Sequence, residues 1–121
     1  MRSFAEQHGT PVTETQAGKS SLPWDHPLNL GAVGVTGSPA ANAMAVDADV
    51  VLAIGTRLQD FTTGSHALFP AARLLSLNVN ALDADKWGSF GLLADAQTGL
   101  EQLGQALIGW AVSADWTTRA H

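Results

Sequence analysis

Few side chains of this 121-residue sequence have types and spacing that could carry out catalysis. No two of the four histidines have a metal-ligand spacing such as H-x-x-x-H; they are His8, His26, His66 and His121. The absence of cysteine excludes disulfides, thiolate zinc sites, iron–sulfur clusters and cysteine nucleophiles. Neither Ser38 nor Ser65 lies in the G-x-S-x-G turn of a hydrolase nucleophile. The residues therefore predict neither a metal site nor a catalytic nucleophile.

Two further residues each have a functional and a structural interpretation. His26 lies between Asp25 and Pro27, where an imidazole hydrogen-bonded to the backbone of its loop is favoured over a general base. Lys19 follows Gly18 without the spacing of a Walker motif. A surface lysine is therefore favoured over a phosphate clamp.

Three glycine-bearing turns are better candidates for a ligand site: QAGK, GVTGS and GTRL, at residues 16–19, 34–38 and 55–58. Ligands of open parallel sheets bind beyond the carboxyl ends of strands, and the free N–H groups of a helix start can hold an anion. Arg57 lies just past a predicted strand, where its guanidinium can reach a phosphate or form an ion pair with Asp60 instead. The sequence thus predicts a nucleotide-type groove made by Gly34, Gly37, Gly55 and Arg57.

Helices and strands that alternate along the chain must position these turns. In the first part of the chain we predict a helix that ends at Gly9, a strand at 10–15, a long loop at 16–37 and a short helix that begins at Ser38 and Pro39. In the second part we predict strands at 49–55 and 73–80, a helical turn at 81–87, a strand at 91–94 and a helix capped by Asp95. The apolar run at 49–55 is typical of a strand buried on both faces of a parallel sheet. The last helix is amphipathic, with an inner face made by Leu100, Leu103, Leu107 and Trp110. This alternation predicts the α/β class, with a Rossmann-like three-layer α/β/α sandwich around a mostly parallel sheet.

Composition restricts the partners. Charged residues make up 14% of the chain, against the roughly 25% of an ordinary soluble domain, so we expect neighbouring domains or subunits to cover part of its surface. The net charge is −5 and the six Lys and Arg residues are scattered singly, so no nucleic-acid partner is expected. No apolar run approaches the roughly 18 residues of a membrane span, and no signal-peptide pattern is present. We therefore expect a cytoplasmic protein with no membrane partner.

Three motifs, in order and spacing, resemble the central domain of thiamine-diphosphate-dependent enzymes of the acetolactate synthase superfamily. They are G-K-x-x-x-P-x-x-H-P-x-x-x-G, G-x-x-G-x-x-x-x-N and G-x-R-x-x-D, matched by Gly18, Lys19, Pro23, His26, Pro27 and Gly31, by Gly34, Gly37 and Asn42, and by Gly55, Arg57 and Asp60. The resemblance covers most of residues 10–100. Within the family, the stretches ETQAGK, LPWDHPLNLG and GTRLQDFTTGS are most similar to the hydrolases that open the ring of a trihydroxylated cyclic dione in myo-inositol catabolism.

The resemblance implies that residues 1–121 are an N-terminally truncated central domain. In the family this domain starts with a strand and a glycine-rich turn, which would precede the helix that ends near Gly9. Family enzymes hold thiamine diphosphate and Mg²⁺ with other domains, so no catalytic residue and no cofactor contact is expected in this chain. Flavin-containing members hold FAD in this domain, but Gln59, Asn78 and Asn80 replace acidic residues of those members. Losing the acceptors for ribose hydroxyls argues against FAD here.

The expected function is that of a non-catalytic central domain of a thiamine-diphosphate-dependent C–C hydrolase. Its expected partners are the N- and C-terminal domains of the parent enzyme, and the fragment alone is expected to be inactive. An unpaired strand edge left by the absent first strand predicts a homo-oligomer, formed either by strand pairing across an interface or by segment exchange at the 16–37 loop. The alternatives are a stand-alone nucleotide- or FAD-binding module, and the central domain of an acetolactate synthase or a glyoxylate carboligase.

Overall fold

The structure, a computed structural model, describes residues 1–15, 21–56, 72–79 and 90–120. Its elements are helix α1 (Arg2–His8), strands β1 (Val12–Glu14) and β2 (Asn29–Ala32), helix α2 (Pro39–Asp47), strands β3 (Val50–Ile54), β4 (Arg73–Asn78) and β5 (Phe90–Leu93), and helices α3 (Ala96–Ala106) and α4 (Ala114–Ala120). The described strands form two parallel sheets, β1-β2 and β3-β4-β5. The predicted α/β, Rossmann-like class is therefore confirmed. The predicted helical turn at 81–87 lies outside the described residues.

Helix α2 joins the two sheets in one hydrophobic core. Leu30 of β2 and Ala53 of β3 belong to the same buried cluster, whose other members are Val33, Ala41, Met44, Ala45 and Leu74. The helix begins as predicted: Ser38 is the N-cap and Pro39 the first helical residue. The Ser38 hydroxyl accepts a hydrogen bond from the backbone N–H of Ala41 and donates one to the carbonyl of Leu30. The cap thus fixes α2 to the strand that precedes it.

Strand β3 is less buried than its apolar sequence predicts. Among the described residues it pairs on one side only, with β4, and Val50 is 51% exposed. Strand β4 pairs on both sides and buries Leu74, Ser76 and Leu77. The prediction of burial on both faces of 49–55 is therefore wrong, because burial depends on position in the sheet as well as on hydrophobicity.

The predicted long loop at 16–37 is wrong in part, because it contains β2. The N–H of Val12 donates to the carbonyl of Leu28, and the N–H of Val33 donates to the carbonyl of Glu14. These bonds form the parallel ladder between β1 and β2. A four-residue strand, NLGA, with Asn and Gly among its residues gives little strand signal of its own.

The predicted closing helix is shorter than expected. Helix α3 ends at Ala106, and Gly109 has a left-handed φ of 86°, so Leu107 and Trp110 lie beyond the helix. Leu100 is buried as predicted, whereas Trp110 is 49% exposed. Asp95 is the predicted N-cap: its carboxylate accepts from the N–H of Thr98 at 2.9 Å. Hydrogen bonds from Thr98 hold the pKa of Asp95 below its usual range.

The segment after α3 returns to the C-terminal end of α1. The ring of His8 is fully buried, lies against Phe4, and donates from Nδ1 to the carbonyl of Trp110 at 2.7 Å. The N–H of Val112 donates to the carbonyl of His8, and the hydroxyl of Thr117 donates to the carbonyl of Gly9, both at 2.9 Å. These three bonds join residues that are about a hundred positions apart in the chain.

Candidate functional site

The glycine turn between β2 and α2 is closed by its own hydrogen bonds. The side-chain amide of Asn42 binds both backbone groups of Gly34: its oxygen accepts from the N–H and its nitrogen donates to the carbonyl, each at 3.0 Å. The N–H of Gly37 donates to the carbonyl of Gly34 at 2.9 Å. A Cβ on Gly37 would lie 2.7 Å from the carbonyl oxygen of Ala32, so no larger residue fits. The G-x-x-G-x-x-x-x-N motif therefore encodes one structural unit.

These bonds limit what the turn can offer to an anion. The N–H groups of Gly34 and Gly37 are satisfied internally, and the N–H of Ser38 donates to the carbonyl of Ala32 at 2.8 Å. A phosphate bound here would have to rely on other donors of the helix start. Nucleotide binding by Gly34 and Gly37 stays a prediction.

The second predicted turn follows β3. Gly55 has a φ of 63°, a left-handed conformation that favours glycine, and its N–H donates to the carbonyl of Leu77 on β4. The amide nitrogen of Asn78, at the end of β4, donates to the carbonyl of Thr56 at 3.2 Å. Asn78 thus ties the two strand ends together, a role that its strand-end position alone did not predict. Arg57 and Asp60 lie outside the described residues, so both interpretations of Arg57 stay open.

His26 is held in one tautomer by its two ring contacts. Its Nδ1 accepts from the backbone N–H of Leu28 at 3.1 Å, so Nε2 carries the proton and donates to the carboxylate of Glu6 at 2.9 Å. The predicted hydrogen bond to the loop backbone is confirmed. Because the Nδ1 lone pair is occupied, the ring has no free nitrogen with which to act as a general base. Glu6 also binds Arg2 at 2.8 Å, and hydrogen bonds from Arg2 and then His26 hold the pKa of Glu6 below its usual range.

Sequence reasoning missed a buried polar network beneath residues 21–28, the loop that carries His26. Glu14 on β1 is only 8% exposed, and its carboxylate accepts from the N–H of Leu22 at 3.2 Å. The side-chain amide of Asn29 lies within hydrogen-bonding distance of the carbonyls of Leu22 and Pro23, at 3.3 and 3.2 Å. The available signal was the polar type of Glu14 at an inward position of a predicted strand, because buried carboxylates need partners.

The described residues contain no group of three or more His, Cys, Asp or Glu that could hold a metal ion. Within the same ranges, every helix is too short or too polar to cross a bilayer. Lys19, Ser65, His66 and His121 lie outside the described residues.

Comparison with known proteins decides the family. The sequence model of the family described as the thiamine pyrophosphate enzyme central domain matches residues 1–103 of this chain. The chain belongs to this family. The resemblance drawn from the three motifs is thereby confirmed, and the structural unit built by Gly34, Gly37 and Asn42 belongs to a thiamine pyrophosphate enzyme central domain.

Individual relatives share one name. The chain is 48% identical over 104 residues to the 3D-(3,5/4)-trihydroxycyclohexane-1,2-dione hydrolase of Geobacillus thermodenitrificans, which covers 86% of this chain and 16% of the relative. It is 46% identical over 107 residues to the hydrolase of that name from Clostridium perfringens (87% and 17%), and 40% identical over 118 residues to that of Clostridium tetani (96% and 18%). This central domain therefore spans less than a fifth of the length of the curated relatives it matches.

Proposed function

We propose that this chain serves as the central domain of a thiamine-diphosphate-dependent enzyme that hydrolyses a C–C bond of 3D-(3,5/4)-trihydroxycyclohexane-1,2-dione. The observation that carries the proposal is identity of 40–48% to relatives of that name over 86–96% of the chain. The relatives' name favours this activity over those of an acetolactate synthase or a glyoxylate carboligase. A stand-alone nucleotide-binding module is also less favoured, because the N–H groups of Gly34 and Gly37 donate hydrogen bonds within the turn.

The role proposed for the domain itself is structural. The family resemblance supports assigning thiamine diphosphate and Mg²⁺ to the N- and C-terminal domains of the whole enzyme. Thiamine diphosphate held by those domains would supply nucleophilic chemistry toward a ketone of the dione. The part of this chain is to present closed, internally bonded turns and apolar surface between those domains. Its exposed Val79 and Leu93, 73% and 66% accessible, support such a bridging position.

Assay of the whole enzyme tests the activity. Purified full-length protein with thiamine diphosphate, Mg²⁺ and the dione should give the ring-opened acid, with one water consumed per C–C bond cleaved. The 121-residue chain under the same conditions should give no product above the buffer rate. Enzyme-like turnover by that chain, about 1 s⁻¹ or faster, would contradict the structural role. Condensation of two 2-keto acids by the full-length protein, without dione hydrolysis, would instead identify a synthase.

We also propose that the 121-residue chain by itself forms a homo-oligomer. Among the described strands, β3 pairs on one side only, and hydrogen bonds to β4 use the carbonyl of Asp49 and the N–H of Gly55. Backbone groups of successive strand residues point to alternate sides, so those of Val50, Leu52 and Ile54 point away from β4. An edge of this kind supports pairing with a further strand.

A further inference from the structure

We infer that Trp24 is the anchor by which this domain docks onto another domain of the same full-length polypeptide. The inference rests on the proposed function, since it requires the chain to act within a larger enzyme. Trp24 is 90% exposed, more than any other large hydrophobic residue of the described ranges. An isolated exposed apolar residue needs no explanation, but the loop that carries Trp24 is unusually well fixed.

The segment on the N-terminal side of Trp24 is held from beneath. Leu22 is 1% exposed and packs with Ala5 and Leu28. Its N–H is bound by the carboxylate of Glu14 and its carbonyl by the amide of Asn29. Both partners lie on strands, so this end of the loop is anchored to the sheet.

The segment on the C-terminal side is held by His26. Its N–H donates to the carbonyl of Pro23 at 3.0 Å, which closes a turn around Trp24. Its ring binds Leu28 on one side and Glu6 of α1 on the other. With its side chain only 8% exposed, the ring is packed into the domain. The backbone on both sides of the indole is therefore ordered before any partner arrives.

A preordered loop that presents a tryptophan has the properties of an interface hot spot. Tryptophan is enriched among residues that dominate binding energy, because its large ring becomes fully desolvated in a partner's pocket. Ordering the loop in advance removes much of the entropic cost of docking. Without a docking partner, the hydrogen bonds of Glu14, His26 and Asn29 would order a loop whose largest side chain, Trp24, is almost fully exposed to solvent.

The size of the relatives indicates the occupant. This chain spans 16–18% of their length, so most of such a polypeptide lies outside the domain and is available to cover it. Asp25 is exposed next to Trp24. The complementary surface is therefore an apolar cleft with a hydrogen-bond acceptor for the indole N–H and a basic or N–H group for the carboxylate of Asp25.

Hydroxyl-radical footprinting of the full-length enzyme tests the inference. The oxidation rate of Trp24, read by mass spectrometry, is compared between the native and the urea-unfolded protein. Burial in a cleft should slow oxidation in the native state at least roughly fivefold, as expected for a fully desolvated anchor. A native rate close to the unfolded rate would overturn the inference. Protection that disappears when the protein is diluted to its monomer would also overturn it, because the occupant would then be a second copy.

Two variants of the full-length enzyme provide the matched comparison. Trp24→Ala should lower the midpoint of thermal unfolding, and Trp24→Phe, which keeps an aromatic ring, should recover most of the loss. Equal midpoints for Trp24→Ala and the unsubstituted enzyme would contradict docking. Dione turnover, measured on the same preparation, is a separate readout. An active enzyme with unprotected Trp24 retains the proposed function and loses the inference, whereas an enzyme with protected Trp24 and no dione turnover does the reverse.

Discussion

Two glycines of α3 should respond in opposite ways to the same substitution. A Cβ on Gly99 would lie 2.5 Å from Cδ1 and 2.8 Å from Cδ2 of Leu77, whereas apolar carbons pack at about 3.5–4.0 Å. Leu77 is 1% exposed and cannot move aside without displacing its neighbours. A Cβ on Gly104 would lie 3.8 Å from Cδ2 of Phe4, which is an ordinary contact.

The effect of helix propensity can be separated from that of core overpacking because both glycines lie in the same helix. Replacing glycine by alanine within a helix contributes roughly 0.5–1 kcal/mol of stability. Overpacking a core typically costs about 1–3 kcal/mol. Gly104→Ala should therefore raise the free energy of unfolding by roughly 0.5–1 kcal/mol. Gly99→Ala should lower it by about 1 kcal/mol, within a range of roughly 0–2.5 kcal/mol, which is the overpacking cost less the helix gain.

Urea unfolding of the 121-residue chain, followed by circular dichroism, measures both changes. If Gly99→Ala proves at least as stable as Gly104→Ala, the close packing of α3 on β4 is refuted. A double substitution provides the control. In a Leu77→Ala background the obstructing methyl groups are gone, so Gly99→Ala should then be stabilising, as Gly104→Ala is.

Four further outcomes are expected. Ser38→Ala should lower the free energy of unfolding by about 1 kcal/mol through loss of the α2 cap, with Ser38→Thr nearly unchanged in the same urea titration. The pKa of Asp95 is lower in the folded than in the unfolded state, so its carboxylate stabilises the fold above the unfolded pKa and this stabilisation is lost as the pH falls through the folded pKa. The unfolding temperature of Asp95→Asn should therefore fall less steeply with decreasing pH than that of the unsubstituted chain. FAD, ADP and NAD should leave the unfolding temperature unchanged, and a clear increase with any of them would favour a nucleotide-binding module at Gly34, Gly37 and Gly55. Sedimentation of the 121-residue chain across a dilution series should give an oligomer, and a monomer of 12.6 kDa at high micromolar concentration would contradict it.

Features that depend on neighbouring residues in the chain were predictable from sequence. The stop at Gly9 and the caps at Ser38 and Asp95 follow from bonds that span three or four residues, and all three are present. The backbone contact of His26 is equally local, since its ring binds the N–H two residues ahead. Such interactions are encoded by residue type and spacing alone.

Features that depend on distant pairing were not predictable in the same way. Strand β2 exists because β1 offers it a ladder, and the exposure of Val50 follows from the edge position of β3. In the candidate site, the spacing of Gly34 and Asn42 identified the family, but periodicity could not reveal that the Asn42 side chain consumes the N–H of Gly34. That bond converts an apparent anion site into a structural turn.

The contact between α1 and the segment after α3 determines which part of the fold would first bear a force applied to the chain ends. Chain flanking this domain on both sides would pull on residues near Met1 and on residues near Ala120, and these two regions are held side by side by the bonds at His8 and Gly9. Force applied between the ends reaches these bonds, the packing of Trp116 on the core and the ion pair of Arg119 with Asp47 before it reaches the β-ladders. They would part first, and the two sheets with α2 would remain folded while the ends separate. Relative movement of flanking domains would therefore be absorbed by a reversible opening at one corner, without unfolding the core.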